Sequence, residues 1–166
     1  PAPNNTHRIR VATGSLGHGF PISCGLALAR KLAKKSGNIY CLCSDGEWQE
    51  GSNWEALIFA IHHQLENLIL LIDDNGLQGF GSTVDVASMG TFTQLFSGFD
   101  VDINELDGHS AKSLEQIKFR SENSLAVFDL HTVKGKGISF MENRLEWHYL
   151  SLSQEQYERA IVELNT

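Results

Sequence analysis

The sequence predicts an α/β fold, in which helices cover both faces of a mostly parallel central sheet. Two observations support this prediction. Short, continuous apolar segments alternate along the chain with longer segments in which apolar residues recur at helical spacing. Glycine or polar turn residues follow several of the apolar segments, as is typical of buried strands. The alternation favours a parallel sheet, because each helix carries the chain back to the start of a neighbouring strand.

Four segments are predicted to be strands. Residues 38–43 (NIYCLC) and 67–73 (NLILLID) are continuous apolar runs, which suit strands that are covered on both faces. Residues 99–104 (FDVDIN) and 125–133 (LAVFDLHTV) contain many β-branched and aromatic side chains, which favour strands. These four segments are the expected strands of the central sheet.

Helices are predicted between these strands. Residues 20–35 carry apolar side chains close to helical spacing. A second helix is expected to begin at Ser52 or Asn53, which are good N-cap residues, and to run to about His63. Residues 111–123 are predicted to form a third helix before the last strand.

Two further segments complete the pattern. Residues 76–90 contain four glycines and are predicted to form a long irregular loop, of a kind that often carries function. Residues 151–165 are predicted to form an amphipathic helix. Its inner face is expected to consist of Leu152, Tyr157, Ile161 and Leu164.

The composition limits the classes of function. The chain has 166 residues, of which 42% are hydrophobic and 20% are charged, so we expect one module over residues 1–166 with a real core. The formal net charge of −7 argues against a nucleic-acid partner. No apolar run approaches the length of a transmembrane helix, so no membrane span is expected. Three cysteines without a repeated CxxC spacing favour reduced thiols and a cytoplasmic protein.

Two predicted strands end in oxygen donors. Asp45 follows the first strand, and Asn75 follows the second one thirty residues later, which is room for one strand–helix–strand crossover. Both residues are therefore expected at the carboxyl edge of the sheet, where open α/β sheets bind ligands. Mg²⁺ takes about six oxygen ligands, many of them from phosphate and water. Asp45, Asn75 and one backbone carbonyl would suffice beside a diphosphate, and Gly46 is expected to allow a sharp turn there.

Residues 44–78, SDGEWQEGSNWEALIFAIHHQLENLILLIDDNGLQ, resemble the thiamine-diphosphate motif of transketolases. That motif begins with GDG, continues through an acidic residue and a glycine, and ends on Asn after an apolar strand. Ser44 stands in place of its first glycine. The resemblance implies the thiamine-diphosphate-binding fold, with three layers in the order α/β/α.

The resemblance also implies a ligand set. Mg²⁺, for which Ca²⁺ or Mn²⁺ are expected substitutes, would be held by Asp45, Asn75 and the backbone carbonyl of Leu77. Gly46 and Glu47 would lie against the diphosphate of the cofactor.

Two other segments resemble the same family. Residues 12–29 (ATGSLGHGFPISCGLALA) are similar to the TGSLGxG segment of transketolases, which lines the cofactor site. This similarity implies cofactor contacts from Gly14, Ser15 and Leu16. Residues 131–149 resemble the strand and loop that close the module, which implies that His148 approaches the diphosphate and the substrate. Tyr149 stands where glycine is usual.

Glu50 is a further candidate, placed at the start of a predicted helix. A carboxylate there is favourable for the helix dipole alone. The resemblance implies that it also joins a carboxylate network that crosses to a partner module. Glu50 and His148 are therefore the predicted catalytic residues.

The resemblance implies one half of a transketolase-type enzyme, which moves a two-carbon ketol unit between sugar phosphates. No segment resembles the pyrimidine-binding module, which we expect as a separate subunit or as a missing remainder, in a homodimer or a heterotetramer. Without that module, the chain is expected to be inactive alone. The resemblance begins abruptly at about Arg10, so the module is also expected to be incomplete at its N-terminal end.

Two alternatives remain open from the sequence. One is a component of the 1-deoxyxylulose-phosphate synthase or 2-oxo-acid dehydrogenase type. The other is a non-catalytic module that binds the cofactor or a partner protein.

Overall fold

The computed structural model describes residues 9–118 and 124–165. The strands of the central sheet are β1 (Ile39–Ser44), β2 (Leu68–Asp74), β5 (Val101–Asp107) and β6 (Leu125–His131). They are parallel and lie in the order β1-β2-β6-β5. The predicted fold class, a parallel sheet flanked by helices, is confirmed.

The helices in the described residues are α1 (Gly19–Leu32), α2 (Gly51–His62), α3 (Thr83–Ala87), α4 (Phe92–Phe96), α5 (Ala111–Leu114) and α6 (Gln154–Leu164). Short 3₁₀ helices span Gly46–Gln49, Glu115–Lys118 and Leu145–His148. The third predicted helix is thus a single α-helical turn followed by a 3₁₀ turn, and its residues 119–123 lie outside the described residues.

The stretch 76–90 is more regular than predicted. It contains a two-stranded antiparallel ribbon, formed by β3 (Leu77–Gln78) and β4 (Gly81–Ser82), and then α3. The Ser82 hydroxyl accepts a hydrogen bond from the Asp85 amide and so caps α3. This capping interaction stabilises the start of α3.

Helices on one face of the sheet enclose the larger core. Trp48 is fully buried there, and its ring packs against four others: Phe20, Trp54, Phe92 and Phe96. On the opposite face, Ile69 and Phe128 form a smaller core with α5 and the turn that follows it. The sheet therefore lies between two helical layers.

The register of the strands places their carboxyl ends side by side. Ser44 lies opposite Asp73, and Asp74 lies opposite His131. Because all four strands are parallel, the polar residues that end them share one edge of the sheet. That edge is where the predicted site residues of β1 and β2 meet.

The expectation that β1 is covered on both faces is wrong. Its side chains alternate, and Cys41 and Cys43 are buried, whereas Tyr40 is 56% exposed and Leu42 is 66% exposed. The reason is that β1 is an edge strand, and no described element covers its second face. Its apolar composition reflects two apolar faces, of which only one is packed.

The start of α2 also differs from the expectation. Its N-cap is Glu50, not Ser52 or Asn53, because the 3₁₀ helix Gly46–Gln49 leads directly into it. The Asn53 amide instead donates to the Glu47 carbonyl at 2.8 Å. The Ser52 hydroxyl donates to the Gly17 carbonyl at 2.7 Å.

The inner face predicted for α6 is wrong. Tyr157, Ile161 and Leu164 are exposed, Ala160 is buried, and Leu152 is half-buried just before the helix. Polar contacts hold the helix instead. The carboxylate of Glu163 accepts hydrogen bonds from Ser139, and the Arg159 guanidinium lies 4.8 Å from the centre of the Phe140 ring. Among the described residues, no helix is both long and apolar enough to cross a membrane.

Leu57 tests the packing of the larger core. It is fully buried on α2, whereas its neighbour Ile58 is 58% exposed. Leu57→Ala should lower the free energy of unfolding by about 2–5 kcal/mol, because it leaves a cavity in a close-packed core. Ile58→Ala, the matched control, should change it by less than about 0.5 kcal/mol. Urea unfolding of both variants measures the difference, and equal effects would contradict this packing.

Candidate functional site at the carboxyl edge of the sheet

The Asp45 carboxylate joins the ends of β1 and β2. It is buried, and its Oδ1 accepts a hydrogen bond from the Gly46 amide at 2.7 Å. Its Oδ2 accepts a second one from the Gly76 amide at 2.6 Å. The structure thus brings the Asp45 side chain directly against the turn that contains Asn75.

Asn75 is half-buried, and both the nitrogen and the oxygen of its side-chain amide form hydrogen bonds. Its Nδ2 donates to Asp73 at 3.2 Å, and its Oδ1 accepts from the Leu77 amide at 3.0 Å. The hydroxyl of Thr132 donates to the other oxygen of Asp73. Asp73 therefore fixes which end of the Asn75 amide carries the oxygen, and that oxygen lies on the side of Leu77.

Glu47 ties the glycine-rich entry to the end of β1. Its buried side chain accepts a hydrogen bond from the Gly17 amide at 3.0 Å. Gly17 has a φ of +75°, which favours glycine. A Cβ at this position would also lie 2.8 Å from Glu50 Cβ, so there is no room for a larger residue. The two predicted cofactor-binding segments are thus in direct contact with each other.

Gly46 is buried for a reason that the sequence did not show. A Cβ at this position would lie 2.8 Å from Gln78 Cβ, so a larger residue would push β3 away. The Gln78 amide in turn donates to Gln49 at 3.0 Å. The small size of Gly46 therefore brings the ribbon close to the end of β1.

Gly14, Ser15 and Leu16 are exposed and precede α1. The Thr13 hydroxyl accepts a hydrogen bond from the Ser15 amide at 3.0 Å and fixes the local turn. Among the described atoms, none lies within 4 Å of a Cβ built on Gly14. The stretch is therefore accessible to a ligand.

The two predicted catalytic residues contact different segments of the site. Glu50 is exposed and lies against the Gly17 turn. His148 is exposed at the end of its 3₁₀ helix, and its Nε2 lies 3.6 Å from a Cβ built on Gly79. The Tyr149 hydroxyl also lies against Gly79, so the tyrosine in place of the usual glycine packs beside the ribbon and leaves His148 next to it.

A cavity of about 300 Å³ opens beside the strand ends. Asp45 and Asp74 line one part of it, and residues from the segment 83–94 line the rest. The glycine-rich stretch 76–90, which was predicted to carry function, therefore leads into a wall of this cavity.

Burial, with a smaller effect of neighbouring charges, raises the pKa of two carboxyls at this edge. Burial raises the pKa of Asp45 to about 6, in spite of its bonds to the Gly46 and Gly76 amides, and the charges of Asp74 and Asp73 add to the rise. Burial also raises the pKa of Asp129 to about 7, and the charge of Asp74 contributes while His131 opposes it. A cation bound at this edge would offset the cost of burying these charges and the repulsion between them.

Sequence reasoning missed a second group of polar residues beside the first. Asp74, Asp129 and His131 each offer a ligand atom, and these atoms lie within 4.8 Å of one another. Glu105 on β5 lies 3.7 Å from the His131 ring. The available signal was Asp129, which interrupts the apolar run of β6.

The chain is an α/β protein with a parallel sheet, and oxygen donors lie at the carboxyl edge of that sheet, where open α/β sheets generally bind ligands. The chain belongs to the family described as "Transketolase, thiamine diphosphate binding domain", which matches residues 1–164. The predicted family is therefore confirmed.

Similar proteins include two that are named as transketolase subunits. The chain is 37% identical over 168 residues to a subunit of the apulose-4-phosphate transketolase of Actinobacillus succinogenes, covering 99% of this chain and 60% of that protein. It is also 35% identical over 160 residues to the 6-deoxy-6-sulfo-D-fructose transketolase subunit SqwG of a Clostridium species. This match covers 94% of the chain and 58% of that protein. The chain thus spans about 60% of the length of these relatives.

A solved transketolase shares the fold. The structure of the Campylobacter jejuni enzyme superposes with a TM-score of 0.83 at 30% identity, covering 93% of this chain and 26% of that one. The described module therefore corresponds to about a quarter of that transketolase chain.

The raised pKa of Asp129 predicts a pH-dependent stability. Between the ordinary value of 3.8 and about 7, the folded protein holds more protons than the unfolded chain, so stability is lost as the pH rises through this range. Asp129→Asn should remove this loss. The free energy of unfolding of the variant minus that of the wild type should therefore increase from about pH 5 to about pH 8. Urea unfolding with a chelator present measures it.

Asp102→Asn is the matched control, since Asp102 lies on the neighbouring strand β5 and its side chain points to the other face. This control should keep the pH dependence of the wild type. If Asp129→Asn and the wild type changed in parallel with pH, the assignment of the effect to Asp129 would be wrong.

Proposed function

We propose that this chain is the diphosphate- and Mg²⁺-binding half of a transketolase-type enzyme, which transfers a two-carbon ketol unit between sugar phosphates. The observation that carries the proposal is the 2.6 Å hydrogen bond from the Gly76 amide to the Asp45 carboxylate. It holds the acidic end of β1 against the Asn75 turn, in a chain of the thiamine-diphosphate-binding family.

The proposed Mg²⁺ ligands are Asp45, the amide oxygen of Asn75 and the backbone carbonyl of Leu77. The donor set fits a divalent ion, because all three ligands are oxygens and the Asp45 carboxylate is buried beside Asp73 and Asp74. Burial among like charges is costly unless a cation compensates it. Ca²⁺ and Mn²⁺, which also bind carboxylate and carbonyl oxygens, are the proposed substitutes.

The proposed diphosphate contacts are the accessible stretch Gly14, Ser15 and Leu16 together with Gly46 and Glu47. The hydrogen bond from Gly17 to Glu47 supports this grouping, because it connects the two segments. When bound, thiamine diphosphate would supply the electron sink for breaking a carbon–carbon bond of the ketose. The chain itself holds and orients the cofactor.

His148 and Glu50 are the proposed catalytic residues. The position of His148 beside the ribbon that follows Asn75 supports a role next to the diphosphate. There its imidazole would donate hydrogen bonds and move a proton at a substrate hydroxyl. The exposed Glu50 carboxylate would face a pyrimidine-binding partner.

That partner is proposed as a separate subunit or as the remainder of a longer chain, in a homodimer or a heterotetramer. Two relatives are named as transketolase subunits. Exposed apolar side chains on α6, namely Tyr157, Ile161 and Leu164, also support a covered surface in the assembly. Cytoplasmic placement is proposed as well, supported by three buried and unbridged cysteines.

Sugar phosphates are the proposed substrates, because a relative is named for apulose 4-phosphate. The alternatives of a 1-deoxyxylulose-phosphate synthase type, a 2-oxo-acid dehydrogenase type or a non-catalytic module are not favoured. The relatives reported above are transketolases or their subunits.

Asp45→Ala tests the cofactor site. The variant should bind thiamine diphosphate with Mg²⁺ about 100-fold more weakly or worse, because it removes the carboxylate ligand from the proposed shell. Calorimetry at about pH 8, where Asp45 is ionised, measures the affinity. Asp100→Ala, at an exposed position away from this edge, is the control and should bind as the wild type does. Unchanged affinity in Asp45→Ala would remove the site assignment.

The half-enzyme proposal is tested by turnover. The purified chain should transfer no ketol unit from xylulose 5-phosphate, and transfer should begin when a pyrimidine-binding subunit is added, because cofactor activation needs both modules. Pyruvate, offered as donor in parallel, should give no product. Ketol transfer by the chain alone would refute the half-enzyme, and a reaction with pyruvate would favour the synthase alternative.

A further inference from the structure

Three side chains at the ends of β2 and β6 converge beside the proposed cofactor site. Asp74 lies opposite His131 in the register, and Asp129 lies two residues earlier on β6 and points to the same face. The Nδ1 of His131 is 3.4 Å from the Asp74 carboxylate. One ligand atom from each residue lies within 4.8 Å of the other two.

Asp129 is the unusual member of this group. It is 1% exposed, and its Oδ1 is buried without a hydrogen-bond partner among the described residues. An uncompensated buried carboxylate oxygen is costly, so native proteins rarely retain one without a partner such as an ion. One oxygen of this carboxylate belongs to the group of ligand atoms, so a cation held by the three side chains would also compensate the buried charge of Asp129.

The local charge is strongly negative. Asp45, Asp74, Glu105 and Asp129 face the same side of the sheet from four neighbouring strand ends. Among the described residues, the ion pairs of Asp74 and Glu105 are with His131. One imidazole cannot balance four carboxylates, so the site attracts a cation.

We infer that Asp74, Asp129 and His131 bind a divalent cation of the Mn²⁺ or Zn²⁺ class, in addition to the Mg²⁺ of the proposed cofactor site. Two carboxylates and one imidazole are ligands that both ions accept, whereas Mg²⁺ and Ca²⁺ prefer oxygen alone. Glu105, close to the other nitrogen of His131, completes the ligand set or orients the ring.

The geometry suits such an ion after small movements. Three ligand atoms at about 2.1 Å from one metal ion lie roughly 3–3.6 Å apart, so the side chains must approach one another by less than about 2 Å. His131 is half-exposed, and Asp74 lines the cavity beside the strand ends, so an ion can enter from solvent.

The inferred site is separate from the proposed Mg²⁺ site and does not depend on it. Asp45 is not a member of this group, and its two oxygens accept hydrogen bonds from the Gly46 and Gly76 amides. The inferred site uses other residues, contains a nitrogen ligand and needs no diphosphate. The two sites are therefore tested by different variants.

The experiment is a titration of the full chain with Mn²⁺ alone, without thiamine diphosphate. Electron paramagnetic resonance follows the loss of the free-ion signal, and the rise in unfolding temperature with Mn²⁺ reports binding to the folded state. Mn²⁺ is chosen because the buried thiols of this chain bind it poorly. Zn²⁺ added afterwards should displace it.

The wild type should bind one Mn²⁺, and Asp129→Asn and His131→Gln should each weaken binding by about tenfold or more. His131 is half-exposed, so its variant is expected to fold even if the Asp129 variant does not. Asp45→Asn and Asp102→Asn should keep the stoichiometry of the wild type.

Three results would overturn the inference. One is the absence of Mn²⁺ binding by the wild type. Another is binding that both Asp129→Asn and His131→Gln retain. The third is binding that disappears in Asp45→Asn alone, which would place the ion at the proposed cofactor site instead.

Discussion

The hydrogen bond from the Gly76 amide to the Asp45 carboxylate is the contact on which the site depends. It connects the ends of the adjacent parallel strands β1 and β2. The register of these strands therefore sets where Asp45 lies relative to the Asn75 turn. Around it, Asp73 orients Asn75, and Glu47 holds the Gly17 turn. A shift of β1 against β2 by one residue would move Asp45 to the other face of the sheet and separate it from the Gly76 amide.

The same edge gathers buried carboxylates in the core. Asp45 and Asp129 are buried close to Asp74, and burial raises the pKa of both carboxyls. Folding therefore gathers negative charge that hydrophobic packing elsewhere must offset, above all the aromatic cluster around Trp48. Such a concentration of destabilising groups is typical of functional sites, because a ligand and its metal supply the missing compensation.

The described chain also carries apolar surface that its own elements leave exposed. Tyr40 and Leu42 on β1 and the apolar side of α6 are exposed, while α6 is held through Glu163 and Arg159. These exposed apolar surfaces support the proposed partner module, which would cover them.

The sequence alone determined the four strands of the central sheet, the helices α1, α2 and α6, the family and the proximity of Asp45 to the Asn75 turn. These follow from local patterns and from one crossover, whose handedness is fixed. The tertiary structure decided the rest. The group of Asp74, Asp129 and His131 depends on the register between strands that are more than fifty residues apart. The side of α6 that packs against the protein is set by contacts of Glu163 with Ser139 and of Arg159 with Phe140. The hydrophobic pattern of the helix did not predict that side. Contacts between distant segments are set by packing, which periodicity within one segment does not encode.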